Sequence, residues 1–267
     1  MLHYQADLRS LCFVALTLVL LGVGLFCDVG SLSIVLVPSF TFLAFVCCII
    51  THNHTHFPIF KSKKINRVFD LFLALAKGHS VQTVVIPHNQ NHHVFHGKDG
   101  DWITVNHGGK AVGWRRIIRY VFFSVTTMAR QRRRVTAPKP SRMMMRSIRE
   151  QKTLILCFIL LALLLNPVGF ALHIFIPWVI AMLTLVSVNL LQHEGCDLDS
   201  EVNLARNFTG SVGNWLLFNN GYHTVHHRYP SLHWSLLRAK HQVDIAAKAK
   251  PELQEKSLVS YLIRTCI

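Results

Sequence analysis

Three stretches of the chain, Leu11 to Cys27, Ser31 to Ile50 and Thr153 to Leu191, contain no Asp, Glu, Lys or Arg. A helix that crosses a bilayer needs about 20 mostly apolar residues, so the first two stretches are each about one span long and the third is long enough for two. Asn166-Pro167 supplies the break inside the third, because proline lacks an amide hydrogen and cannot continue a helix through its own position. The pattern predicts an all-α integral membrane protein with four transmembrane helices in two hairpins, at about residues 11–27, 31–50, 153–172 and 174–192. Residues 1–267 then form a single membrane domain. A soluble core of this size would not need so many charge-free runs. A signal peptide is the competing reading of the first run, but no small-x-small cleavage site leads into a soluble domain.

The polar blocks that follow each hairpin are patterned differently. Ile65 to Ile86 is moderately apolar but carries Arg67, Asp70, Lys77 and His79, and Ile117 to Met128 is too short to cross and has arginine on both flanks. Both read as helices lying along the membrane interface. Gly97 to Gly113 is rich in turn residues, Ala137-Pro138-Lys139-Pro140 separates a basic helical stretch from the second hairpin, and the tail after His241 reads as polar helix.

Charge fixes the expected orientation. The net charge is +15, and Lys110 to Lys152 holds thirteen Lys and Arg against one acid, Glu150. Lys61, Lys63, Lys64 and Arg67 follow the second span, whereas the two short turns, near 27–31 and 166–173, have no Lys or Arg. This distribution argues for membrane orientation, not nucleic-acid binding, and places both polar blocks and both termini in the cytoplasm. Seven cysteines without a Cys-x-x-Cys give no disulfide framework and no thiolate metal site.

Candidate chemistry lies in the histidines. Ten of the 17 fall in three tight clusters and at His193: His52-Asn-His54-Thr-His56, His88-Asn-Gln-Asn-His92-His93, His223-Thr-Val-His226-His227, and Asn189-Leu-Leu-Gln-His193. Neutral imidazole is the commonest protein ligand for transition metals. On a helix, residues three or four apart share a face, so His52 pairs with His56, His88 with His92, and His223 with His226 and His227. His54 points elsewhere. Asn189 and His193 are one turn apart at the cytoplasmic end of the last span, and Glu194 is a candidate acceptor for a ligand's second ring nitrogen. His173 sits in the opposite turn with a structural role, and His96 is a candidate for a supporting one. All these motifs fall on one side of the membrane, and spacing alone leaves the metal open, since zinc also takes histidine.

The boxes His-x3-His, His-x3-His-His and His-x2-His-His resemble those of the integral-membrane fatty acid desaturase and hydroxylase superfamily. Asn189-x3-His193 resembles the extra ligand motif ahead of the third box in acyl-CoA desaturases. Asn219-Asn220-Gly221-Tyr222-His223 through Pro230, with His233-Trp234 after it, is similar to bacterial members. The resemblance runs from about Ser31 to Trp234. It implies a cytoplasmic histidine-rich cap on the bacterial inner membrane, with two non-haem irons held by His52, His56, His88, His92, His93, Asn189, His193, His223, His226 and His227. It also implies molecular oxygen as co-substrate and attack on an unactivated C–H bond of a lipid or fatty acyl chain. No fused electron carrier is evident in the sequence, so a separate ferredoxin, rubredoxin or cytochrome b5 type donor is expected. The basic run at Arg130 to Arg134 could dock an acidic carrier, although membrane orientation explains it more simply.

The leading expectation is a desaturase. A hydroxylase or ketolase acting on a fatty acid, alkane, sphingolipid or carotenoid would use the same site. A zinc-dependent lipid hydrolase is a different class and needs only about three protein ligands. A transporter would carry its ionisable residues mid-membrane, not at span ends. Trp102, Trp215, Phe218 and Tyr222 are candidates both for lining an acyl channel and for interfacial anchoring.

Overall fold

The computed structural model describes residues 1–27, 29–132, 134 and 139–266. Arg133 of the basic run and the Ala137-Pro138 separator lie outside these residues. The helices in chain order are α1 (Asp7–Phe26), α2 (Ser33–His56), α3 (Lys63–Lys77), α4 (His93–Phe95), α5 (Gly113–Gln131) and α6 (Arg142–Leu165). Then follow α7 (Pro167–Phe170), α8 (Ile176–His193), α9 (Ser211–Leu216), α10 (His223–Arg228), α11 (Leu237–Asp244) and α12 (Leu258–Cys266). Two π-helical segments, Val85–His92 and Ala171–Phe175, lead into α4 and α8. The one sheet among the described residues is a two-residue parallel pair, Asn207–Phe208 on Gln254–Glu255. The protein is an all-α integral membrane protein.

Three helical stretches are long and apolar enough to cross a membrane, Asp7–Phe26, Gly30–His56 and Pro167–His193. The pair Lys63–Lys77 and Val81–Phe95, bent by 79°, would make a fourth if it counts as one span. The stretch expected to cross at 153–172 is divided. α6 ends at Leu165, and Asn166 accepts a hydrogen bond from Gly169 N while Pro167 opens the next helix. Proline at a first helical position costs nothing, because that amide has no intrahelical partner anyway. The apolar second half of α6 therefore ends at the break, and 171–175, expected to belong partly to a turn, is helical.

The chain divides into two compact units, Met1–Val85 with Pro140–Leu185, and Ile86–Lys139 with Val186–Ile267. In the first unit, α1 packs on α2, and both pack on α3. Large apolar side chains stay exposed along the hairpins, among them Val19, Ile34, Val35 and Leu164, as lipid-facing surface requires. The two uncharged turns are fastened together. His173 Nδ1 donates to the Gly24 carbonyl at 3.1 Å, its Nε2 lies 3.0 Å from Ser33 Oγ, and Asn166 Nδ2 donates to Leu25 O. This is the structural role expected for His173. α3 starts at the Ser62 cap and stops at Gly78 in the left-handed region. It buries Phe69, Leu73 and Ala74 and exposes Ile65, Val68 and Phe72, the division expected of an interfacial helix.

The second unit is built around the end of α8. Buried Arg206 donates to the carbonyls of Leu191 and Glu194, satisfying acceptors that a helix C-terminus leaves open. Leu191, Phe208 and Tyr261 form a small core, joined by Ile117 of α5 and by Leu258 and Leu262 of α12. The polar tail is therefore structural: α12 packs against α5 through it. α5 itself exposes Trp114, Ile118 and Phe122 along one face, as an interfacial helix would.

Candidate metal centre

Four imidazoles of the second unit converge in its interior. His193 is the last residue of α8, His223 and His227 lie one turn apart on α10, and His92 ends the π-helical segment. Their exposures are 0%, 3%, 5% and 0% respectively. One ligand atom from each lies within 4.8 Å of all the others. The Nε2 atoms of His193 and His223 are 3.1 Å apart, those of His193 and His227 3.0 Å, and those of His227 and His223 3.1 Å.

That triangle cannot be satisfied by hydrogen bonds among neutral rings. Each Nε2 either carries a proton and donates or carries a lone pair and accepts, and in a ring of three at least one pair must be alike. His193 is already assigned, since its Nδ1 faces the Leu204 carbonyl at 3.1 Å and must donate to it, leaving Nε2 with a lone pair. His92 is assigned in the same way. Its Nδ1 donates to Asp101 Oδ2 at 2.6 Å, and its Nε2 is buried without a hydrogen-bond partner among the described residues. A cation at the centre resolves both features. Zinc–imidazole bonds of about 2.0–2.1 Å would hold tetrahedral ligands about 3.3 Å apart, close to the spacing seen. Burial, then the neighbouring imidazoles of His93, His223, His193 and His92, hold His227 well below the ordinary histidine range, so its lone pair is available at neutral pH.

Beside this group stands a second. His93 Nε2 lies 3.2 Å from His88 Nε2 and 3.0 Å from His226 Nε2. The rings of His93 and His227 stack at 4.4 Å, so the two groups are adjacent. The second unit thus splits the boxes between two groups in a way helical spacing did not indicate. His88 shares a group with His93 and not with His92, because the segment is π-helical and brings i and i+5 together. On α10, His223 and His227 join one group and His226 the other.

In the first unit, His52 and His56 lie one turn apart at the end of α2 with ring centroids 5.1 Å apart. His54 turns away, as expected. Its Nδ1 accepts from Ile59 N at 3.1 Å, and its Nε2 lies 3.2 Å from Asp70 Oδ1. Asn189 is buried, and its Nδ2 donates to Tyr120 Oη at 2.8 Å. Glu194 does not serve a ligand ring. It pairs with Arg116 at 3.0 Å, and the acceptors that hold His193 and His92 are Leu204 O and Asp101. His96 sets its ring edge-on to His227, at 5.3 Å. Of the aromatic candidates, Trp102, Phe218 and Tyr222 are buried and Trp215 is 56% exposed.

Asp101 and Tyr120 are site-supporting residues that sequence reasoning missed. Asp101 sits in Lys98-Asp99-Gly100-Asp101, which reads as a turn, and nothing in its spacing from box two marks it as an acceptor for His92.

The described residues thus combine helices long and apolar enough to cross a membrane with two adjacent imidazole groups able to hold metal. The sequence pattern of the fatty acid desaturase family matches residues 8–256, and the chain belongs to that family. No curated protein and no solved structure matches it.

Proposed function

We propose that the protein is an oxygen-dependent, di-iron membrane desaturase that introduces a double bond into a fatty acyl chain or lipid. The observation that carries this reading is the Nε2 triangle of His193, His223 and His227, a geometry that hydrogen bonds among neutral rings cannot fully satisfy and that suits a bound cation. With His92 these residues would hold one iron. His88, His93 and His226 would contribute to the other, to which the family resemblance adds His52 and His56, with Asn189 acting directly or through water. Bound iron would supply oxygen activation and removal of hydrogen from an unactivated C–H bond.

The chain's own residues have three tasks in this reaction. They keep the imidazoles neutral and correctly turned, through Asp101 and Leu204 O. They exclude bulk water, since all four rings of the first group are buried. The apolar helices would also receive an acyl chain from the bilayer. A separate ferredoxin, rubredoxin or cytochrome b5 type carrier would deliver electrons. Four imidazoles in one group, with more beside it, exceed the three protein ligands and open position of a catalytic zinc site, which argues against a hydrolase.

Expression with a competent reductase, followed by mass spectrometry of total lipids with and without oxygen, tests the reaction. New oxygen-dependent unsaturation supports it. New hydroxy or keto products without added unsaturation would move the assignment to the hydroxylase or ketolase alternative. The bacterial inner membrane with the site on its cytoplasmic face is the setting proposed.

A further inference from the structure

The loop after box two holds a carboxylate that the proposed chemistry does not itself require. The Asp101 side chain has no exposed surface, and it accepts three hydrogen bonds. Oδ2 takes His92 Nδ1 at 2.6 Å and Gly97 N at 2.7 Å, and Oδ1 takes Ile103 N at 2.9 Å.

The loop is pinned on every side. Asn91, next to His92, donates to Gly100 O and accepts from Trp102 N. Thr104 Oγ1 donates to Gly97 O at 2.6 Å. Tyr120 Oη donates to Ile103 O at 2.9 Å and accepts from Asn189 Nδ2. One hydrogen-bonded strap therefore runs from His92 through Asp101 and Ile103 to Tyr120 and Asn189. A solvated turn would not need a fully buried anion whose one side-chain partner is an imidazole.

We infer that Asp101 is a positioning residue, which fixes His92 as the Nδ1–H tautomer and so presents its Nε2 lone pair to the metal of the buried four-histidine group. This rests on the metal-binding reading above. The carboxylate also raises the basicity of the ligand it holds. Asn at this position has one acceptor oxygen and one amide donor for three incoming N–H groups. Where the amide faces His92, the ring must accept at Nδ1 and carry its proton on Nε2, which blocks ligation.

The test uses full-length protein in nanodiscs, stripped with chelator and titrated with cobalt(II), whose absorption reports coordination. Wild type should take up two equivalents. Asp101→Asn and Asp101→Ala should each weaken one equivalent by about 10- to 100-fold and leave the other unchanged. Thr104→Val, which loosens the same loop without touching Asp101, should lower the melting temperature of the apo-protein and keep both affinities. Both Asp101 variants binding two equivalents at wild-type affinity would overturn the inference. So would loss of both sites in proportion to a fall in apo-protein melting temperature, which would mark the residue as merely structural. The ring tautomer gives a second readout that needs no metal. Nitrogen-15 shifts of His92 should report Nδ1–H in wild-type apo-protein and a shift toward Nε2–H in Asp101→Ala, where no acceptor holds Nδ1; the same tautomer in both contradicts the inference. Failure of wild type to bind cobalt would count against the di-metal reading alone, because the tautomer would still be read directly.

Discussion

His193 Nε2 stands 3.0 Å from His227 Nε2, although the two residues are 34 positions apart and belong to different helices. Neither ring is free to turn away. His193 is held by Leu204 O, and α10 is pinned at Thr224, whose N donates to Asn207 Oδ1 at 3.1 Å and whose hydroxyl accepts from Asn207 Nδ2 at 2.9 Å. The rings are thus held in place by the protein's own hydrogen bonds, and groups held in advance by their surroundings bind a ligand more tightly than groups ordered at the moment of binding.

His227→Ala should abolish turnover and reduce the iron content of the purified protein, while the yield of folded protein stays near wild type. The ring lies in the four-histidine group and stacks on His93 of the other, so its loss affects both. Near-normal product formation by this variant would show that the box assignment is wrong.

His54→Ala should behave in the opposite way. The ring joins Ile59 N to Asp70, and Asp70 in turn accepts from Gln82 Nε2 at 2.6 Å. Removing it leaves buried polar groups unpaired, at a cost of about 1–3 kcal/mol. Thermal unfolding in detergent should report that loss, with iron content per folded chain unchanged. Iron loss without destabilisation would make His54 a ligand.

Gly78→Ala should be strongly destabilising. Gly78 has φ of +74°, and a Cβ there would run into the Trp178 ring. The backbone strain and the clash together should cost at least about 2 kcal/mol, read as a lower melting temperature. A melting temperature equal to wild type would mean that this helix end is held differently.

Tyr120→Phe removes a fully buried hydroxyl that serves Ile103 O and Asn189. The expected loss is about 1–3 kcal/mol of stability, with imidazole-bound iron retained. If Asn189 takes part in the reaction, turnover falls further than stability does, which a comparison of kcat at permissive temperature will show.

Reporter fusions at Gly30 and at the C-terminus should fall on opposite sides of the membrane. A layout of two two-span hairpins, together with the Lys and Arg distribution, predicts it, and the fastening of Gly24, Ser33 and His173 puts both uncharged turns together. Both reporters on one side would contradict the hairpin layout.

What the sequence reveals here depends on how local the cause is. Charge-free runs and the Asn166-Pro167 break are local, and the helices follow them. Box membership is local too, since His54 could be set apart from His52 and His56 by spacing alone. The division of labour within box two was not legible, because 3.6-residue periodicity pairs His88 with His92, whereas the π-helical segment pairs His88 with His93. Asp101 and Arg206 were hidden for another reason. Their partners, His92 and the end of α8, are set by tertiary packing, so a turn aspartate and a loop arginine look like surface residues in the sequence. Glu194 misled in the same way: it lies next to His193 along the chain, but its partner is Arg116.

The most direct measurement is the metal content of the purified, full-length protein after anaerobic reconstitution with iron, read by elemental analysis and Mössbauer spectroscopy. The account predicts about two irons per chain in nitrogen-rich sites, in keeping with two adjacent histidine groups. Less than one transition metal per chain, under conditions where the protein is folded, would contradict it.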